Sequence, residues 1–80
     1  MLTRNDLIPW VIEALKGLGG RGRIDKICEH VWNNHEHELR ASGGLLFKWQ
    51  YEIRWAAKTL RERRVLKAAA VSRKGYWELA

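Results

Sequence analysis

Residues 46–79, LFKWQYEIRWAAKTLRERRVLKAAAVSRKGYWEL, contain the longest amphipathic segment of this 80-residue chain. Apolar residues recur there at helical spacing, which predicts a helix from about Leu46 or Phe47 to Arg63. The residues that share its apolar face are Trp49, Ile53, Ala56, Ala57 and Leu60. The opposite face is polar and contains several basic side chains.

A hairpin is predicted after this helix. Residues 65–68 read as a strand, and residues 69–75 form a turn-like tip that contains Arg73 and Lys74. Residues 76–79 read as the returning strand because apolar and polar side chains alternate along them. The segment therefore predicts a long helix followed by a small antiparallel hairpin with a basic tip.

A first helix is predicted near the N-terminus, from about Leu7 to Gly17. Asp6 is the expected N-cap, because aspartate accepts a hydrogen bond from the free N–H groups of a first turn. Gly19 and Gly20 are expected to end the helix, since glycine adopts the left-handed conformation without steric cost. The apolar face comprises Leu7, Val11, Ala14, Leu15 and Leu18.

A second, shorter helix is predicted after an extended connector at residues 20–24. Asp25 is the expected N-cap of a helix over Lys26–Asn33. Residues 34–44, NHEHELRASGG, read as a polar loop with a helical turn near residues 36–40. The apolar residues of this helix are Ile24, Ile27, Cys28 and Val31.

This order of elements is that of a winged helix-turn-helix. Three helices share one core, and a hairpin covers its open edge beside the third helix. We therefore expect a mainly α fold with a small β hairpin, an α+β winged helix with a two- or three-stranded wing. Residues 1–80 form one domain in this interpretation, because the chain is too short for two.

The charge is concentrated in the second half of the chain. The whole chain has a net charge of +6, with 15 Lys and Arg against nine Asp and Glu. Residues 1–39 contain five basic and six acidic residues, a net −1, whereas residues 40–80 contain ten basic and three acidic residues, a net +7. A basic half on a small domain favours a polyanionic partner, of which nucleic acid is the commonest.

Several classes of protein are disfavoured by composition. No apolar run approaches the roughly 18 residues of a membrane span, and the N-terminus lacks the pattern of a signal peptide. A cytoplasmic protein is therefore expected. The one cysteine, Cys28, excludes a disulfide framework. Cys28 and His30 diverge by about 200° around a helix, so we predict no metal site there with His35 and His37, and no cofactor.

The chain resembles the N-terminal domain of Mrr-type restriction proteins. The resemblance is specific over residues 49–79: Trp49 through Ala56, then Leu60, then Val65-Leu66, then Arg73-Lys74-Gly75-Tyr76-Trp77-Glu78-Leu79. It implies a winged helix that recognises double-stranded DNA for an attached nuclease, in a system that restricts foreign or modified DNA.

The chain departs from that family at two positions. Glu52 stands where the family often has an arginine, so no phosphate contact is expected there. Arg64 stands where a glycine usually turns the chain out of the helix, so we expect a turn of another kind. The nuclease module is missing, and Glu52-Ile53-Arg54 only superficially resembles its metal-binding pair, because it lies on a helix and ends in arginine. We therefore expect no catalytic residue in this chain.

Seven residues are the predicted contacts to DNA. Gln50 and Arg54 lie where they reach base edges, since Gln pairs well with adenine and Arg with guanine. The other predicted contacts, most of them phosphate contacts, are Lys48, Tyr51, Lys58, Arg73 and Lys74. An ordinary solvated helix face and turn are the alternative interpretation of the same residues.

Five tryptophans require places in the fold. Trp49 and Trp77 are predicted in the core, and Trp10 and Trp32 border apolar faces. Helical geometry puts Trp55 opposite the core face, where packing, a stacking platform with Tyr51, or a dimer contact are all open.

Three functions from different classes follow. The first is recognition of double-stranded DNA, either for a restriction system with a fused nuclease domain or as a small phage or plasmid regulator. The second is a protein-interaction or homodimerisation module that uses Tyr51 and Trp55. The third is binding of RNA or single strands.

Overall fold

A computed structural model describes residues 2–80, and in this range it shows three helices and two short strands. A 3₁₀ turn over Arg4–Asp6 precedes the first helix, and another over Gly43–Phe47 precedes the third. The regular elements in chain order are α1 (Leu7–Gly17), β1 (Arg21–Arg23), α2 (Ile24–Arg40), α3 (Trp49–Glu62) and β2 (Tyr76–Glu78).

Helix α1 occupies the centre of the fold, because it packs against both α2 and α3. Its bounds agree with the sequence prediction. Leu7, Val11, Ala14 and Leu15 are fully buried, as their spacing predicts, but Leu18 is 38% exposed. Leu18 lies beyond the last helical residue, so its side chain no longer follows the apolar face.

The start of α1 differs from the prediction. The carboxylate of Asp6 does not cap α1 but accepts a hydrogen bond from the Thr3 N–H at 2.8 Å. The Thr3 hydroxyl in turn accepts a hydrogen bond from the Asn5 N–H. This reciprocal arrangement stabilises the preceding 3₁₀ turn, which carries Arg4 across α3.

Helices α1 and α3 end in the same motif. After α1, Gly19 has a φ of +87° and the Gly20 N–H donates to the Leu15 carbonyl at 2.7 Å. After α3, Arg64 has a φ of +61° and the Val65 N–H donates to the Leu60 carbonyl at 2.9 Å. The expectation of another kind of turn is therefore wrong. The hydrogen bonds of the motif impose the left-handed conformation, and an arginine adopts it at a cost of about 1 kcal/mol.

Helix α2 consists of two parts separated by a kink at His35, where φ is −134° and ψ is 18°. The first part ends next to the predicted end at Asn33, and the Asn34 side chain donates to the His30 carbonyl at 2.8 Å. The second part corresponds to the helical turn predicted near residues 36–40, and it buries Leu39. The loop predicted over residues 34–44 is shorter than expected, because the second part follows the first directly and the helix ends only at Arg40.

The first residues of α2 and α3 also differ from the prediction. Arg23 is the N-cap of α2, and Asp25 lies inside the first turn, where its carboxylate accepts from the Lys26 N–H. Helix α3 begins at Trp49 instead of at Leu46 or Phe47, because those residues form the 3₁₀ turn.

The sheet pairs distant segments rather than the predicted hairpin. Strand β2 is antiparallel to β1, with Gly22 opposite Trp77. The predicted strand at residues 65–68 is reduced to a single bridge between Leu66 and Leu79. The chain leaves the strand early because the Val71 N–H bonds to the Ala68 carbonyl and begins a turn. We call residues 68–75 the C-terminal loop.

The described chain is thus mainly helical with a small antiparallel sheet. Trp49 and Trp77 are 4% and 3% exposed, which confirms both as core residues. No helix among residues 2–80 is long and apolar enough to cross a bilayer.

Candidate functional site

A groove of about 830 Å³ lies between α2, α3 and the C-terminal loop. Its walls are the first half of α2, the first half of α3 and the C-terminal loop. We call it the basic groove; the residues that line it are Arg23, Ile24, Asp25, Cys28, Glu29, Trp32, Trp49, Gln50, Arg54, Arg73, Lys74, Gly75 and Tyr76.

Four of the seven predicted contacts line this groove. Gln50 and Arg54 come from α3, and Arg73 and Lys74 come from the C-terminal loop. The fold brings the two pairs together because Leu66 and β2 anchor both ends of the C-terminal loop to the sheet. The sheet in turn adjoins α2, which starts one residue after β1 ends.

The acidic residues of the groove are already paired. Asp25 lies 3.3 Å from the Arg23 guanidinium, and Glu29 lies 3.7 Å from the Lys26 ammonium. The three other cations of the groove form no ion pair with any described residue; they are Arg54, Arg73 and Lys74. The groove therefore presents uncompensated positive charge.

The same asymmetry extends over the whole described chain. Five of the nine acidic residues form ion pairs with Lys or Arg and two more contact His35, whereas ten of the 15 Lys and Arg form no ion pair within residues 2–80. Eight of those ten lie between residues 48 and 74: Lys48, Arg54, Lys58, Arg61, Arg63, Arg64, Arg73 and Lys74. An excess of uncompensated positive charge of this kind attracts polyanions to this part of the chain.

Tyr76 positions part of the groove. The guanidinium of Arg73 lies 5.3 Å from the centroid of the Tyr76 ring, and that of Arg21 lies 5.9 Å away. Both distances allow a cation–π interaction, worth about 0.5–1 kcal/mol at an exposed site. The contact holds Arg73 at the edge of the groove.

Three predicted contacts lie outside the groove, on the solvent face of α3 or at its start. They are Lys48, Tyr51 and Lys58, and Tyr51 is 75% exposed. Phe47, which the sequence interpretation treated as a helix-start residue, is 87% exposed at the same end of α3. The signal available in the sequence was its position in the predicted helix, directly before Lys48 and four residues before Tyr51, both of which were assigned to the polar face.

The other flank of α3 is covered. The guanidinium of Arg4 lies 4.1 Å from the centroid of the Trp55 ring and 3.5 Å from the Glu52 carboxylate. Trp55 is half-buried against the core, and Glu52 faces the N-terminal 3₁₀ turn. Both residues therefore lie away from the basic groove, and Trp55 has a packing partner.

Cys28 is half-buried in the wall of the groove. Burial raises the pKa of its thiol, an effect that the nearby Arg54 guanidinium partly opposes and Asp25 reinforces. A raised pKa keeps the thiol protonated and unreactive near neutral pH.

His35 occupies a structural position. His35 stacks on Trp10, with ring centroids 3.8 Å apart, and its two ring nitrogens contact the carboxylates of Glu13 at 2.8 Å and Glu38 at 2.9 Å. The sequence did not predict this cluster, because it depends on the kink in α2. Within residues 2–80, no three His, Cys, Asp or Glu side chains are grouped so that they could hold a metal ion.

Comparisons with protein-family profiles, with curated proteins and with solved structures find no match to this chain.

Proposed function

We propose that this chain binds double-stranded DNA as a winged helix. The observation that carries the proposal is the basic groove, where Arg54 of α3 meets Arg73 and Lys74 of the C-terminal loop. None of the three is in an ion pair with a described residue, whereas the neighbouring acids are paired. In this arrangement α3 enters the major groove and the C-terminal loop acts as the wing on the adjacent backbone.

The order of elements supports this assignment. A strand links the first two helices, and the wing loop returns through a strand that pairs with it. A phosphodiester strand then runs between α3 and the wing, through the basic groove. Arg73 and Lys74 of the wing line this groove, where they neutralise phosphates of that strand.

The residues divide by the chemistry of their contacts. Gln50 and Arg54 reach base edges, because both side chains form bidentate hydrogen bonds with purines. Arg73 and Lys74 hold phosphates from the wing, and Lys48 and Lys58 hold phosphates at the two ends of the exposed α3 face.

The resemblance to Mrr-type restriction proteins supplies the biological setting of the proposal. The chain recognises target DNA for a nuclease module, and catalysis belongs to that module. A small phage or plasmid regulator uses the same surface and differs in having no nuclease partner.

Binding of a fluorescent random-sequence duplex, followed by anisotropy over a series of salt concentrations, tests the proposal. We expect a log–log salt slope of roughly −4 to −6, which corresponds to about five or six neutralised phosphates. A matched pair of variants locates the face. Lys74→Glu is expected to weaken binding at least tenfold, whereas Lys16→Glu changes the net charge equally on α1, outside the groove, and has a smaller effect.

Three results would overturn the proposal. The first is absence of duplex binding at low salt. The second is equal loss of affinity in Lys74→Glu and Lys16→Glu, which would mean that net charge alone attracts the DNA. A strong preference for single strands of the same sequence would assign the surface to RNA or single-stranded DNA instead.

A further inference from the structure

Two large apolar side chains are exposed at the N-terminal end of α3. Phe47 is 87% exposed and Tyr51 is 75% exposed, four residues apart. Fully exposed rings of this size contribute little to folding, since the hydrophobic effect scales with the area removed from water. We call this pair the aromatic tip.

The aromatic tip is not part of the core or of the covered flank. Leu45 and Leu46, in the same 3₁₀ turn as Phe47, are half-buried, so the turn has an inner and an outer side and Phe47 is on the outer one. Tyr51 lies on the face of α3 opposite the buried Trp49, Ile53 and Ala56 in helical phase.

The surroundings of the aromatic tip are basic. Lys48 lies between the two rings in sequence, and Arg54 and Lys58 follow along α3, none of them in an ion pair with a described residue. The nearest carboxylate in sequence, Glu52, faces Arg4 on the other flank. An apolar tip whose neighbours along the chain are cations matches a partner that is anionic overall and has an apolar group at its centre.

The major groove of DNA has that chemistry. Phosphates border it, and the apolar group on the base edges is the C5 methyl of thymine, which contacts apolar side chains such as phenylalanine. The N-terminal residues of a recognition helix are those that contact base edges. We infer that Phe47, supported by Tyr51, contacts the methyl groups of thymines and so favours thymine-containing sites. This inference rests on the proposed duplex binding.

A second copy of this chain is a poorer occupant of the same surface. A symmetric contact through the aromatic tip would bring Lys48, Arg54 and Lys58 of one copy against the same residues of the other. Like charges placed together across an interface oppose association.

The test removes the methyl group and nothing else. Duplexes that the protein selects from a random pool are prepared in two forms, one with thymidine and one with deoxyuridine, and their affinities are compared by anisotropy. We expect the deoxyuridine form to bind about fourfold more weakly for each methyl contacted, the effect of burying one methyl-sized group. Phe47→Ala is expected to remove the difference, and its high exposure means that it should fold.

Lys48→Ala is the matched control. It is expected to weaken both forms equally, because a phosphate contact does not depend on the base. Any intrinsic difference in shape between the two duplexes would remain in Phe47→Ala, so that variant separates a methyl contact from indirect readout.

Each of four other outcomes would overturn the inference. Equal affinities for the two duplexes, with salt-dependent binding retained, would refute the methyl contact and leave the proposed function intact. A difference that persists in Phe47→Ala would assign it to DNA shape. Loss of all duplex binding would remove both proposals, and a dimer that Phe47→Ala dissociates would assign the aromatic tip to a second copy.

Discussion

The two flanks of α3 both contain a charged side chain, but one flank is open and the other is covered. On one flank, Gln50 and Arg54 open onto the basic groove. On the other, Arg4 crosses the helix and covers Glu52 and Trp55. The role of a charged or aromatic residue on this helix therefore depends on whether other residues cover it, rather than on its type.

The physical difference is the partner of each cation. The Arg4 guanidinium has a carboxylate at 3.5 Å and an indole ring at 4.1 Å, so its charge is compensated within the fold. Arg54 forms no ion pair with residues 2–80. The covered flank therefore stabilises the protein, and the open flank is available to a ligand.

The largest expected effect separates two of the aromatic residues of α3, Trp55 and Tyr51. Trp55→Ala is expected to lower the free energy of unfolding by about 2 kcal/mol, roughly half of the loss at a fully buried tryptophan. Tyr51→Ala, at a 75% exposed position, should change it by less than about 0.5 kcal/mol. Urea unfolding followed by circular dichroism measures both values. Equal losses would mean that the flanks do not differ.

Replacing an arginine by glutamine is expected to lower the affinity for DNA on the open flank and the stability of the fold on the covered flank. Arg54→Gln should weaken duplex binding about tenfold, about 1.4 kcal/mol, with little change in stability. Arg4→Gln should lower the free energy of unfolding by about 1 kcal/mol and leave the affinity unchanged, because it removes an ion pair and a cation–π contact. Anisotropy and thermal unfolding of both variants provide the four measurements. A fall in affinity with Arg4→Gln would place the covered flank in the interface.

A smaller effect is expected at Arg64, just after the C-terminal end of α3. Arg64→Gly should raise the free energy of unfolding by about 0.5–1 kcal/mol, because glycine adopts the positive φ of this position without strain. Gly19→Ala, at the matching position after α1, should lower it by a similar amount. Thermal unfolding compares the two. Destabilisation by Arg64→Gly would show that the arginine side chain makes a contact worth more than the backbone strain.

The smallest expected effect concerns Cys28 in the groove wall. Because burial raises the pKa of its thiol, alkylation by iodoacetamide at pH 8 should be slower in the folded chain than in urea. The folded state favours the neutral thiol, so Cys28 contributes to the free energy of unfolding below about pH 8.5. This stabilisation is lost as the pH rises through the raised pKa of the thiol. Mass spectrometry follows the alkylation.

Alkylation of Cys28 also reports on the open flank. Duplex DNA should slow it further, since Cys28 lines the groove together with Arg54 and Lys74. A rate that DNA leaves unchanged, under conditions in which the chain is bound, would place the DNA elsewhere.

Much of the helical framework can be read from the sequence alone. Its apolar periodicity predicted the bounds of α1, the buried face of α3 and the burial of Trp49 and Trp77. Most of its cations lie in the second half of the chain, which contains the groove residues Arg54, Arg73 and Lys74. These properties are local or compositional, so they can be read without knowledge of which segments meet.

Tertiary structure decided the rest, because each remaining feature depends on contacts between distant segments. Strand β2 pairs with β1, more than 50 residues earlier, rather than with residues 65–68. The kink at His35 lets α2 continue to Leu39 and a buried position against the core. The crossing of Arg4 over Trp55 separates the two flanks of α3, and helical periodicity alone treats those flanks as equivalent.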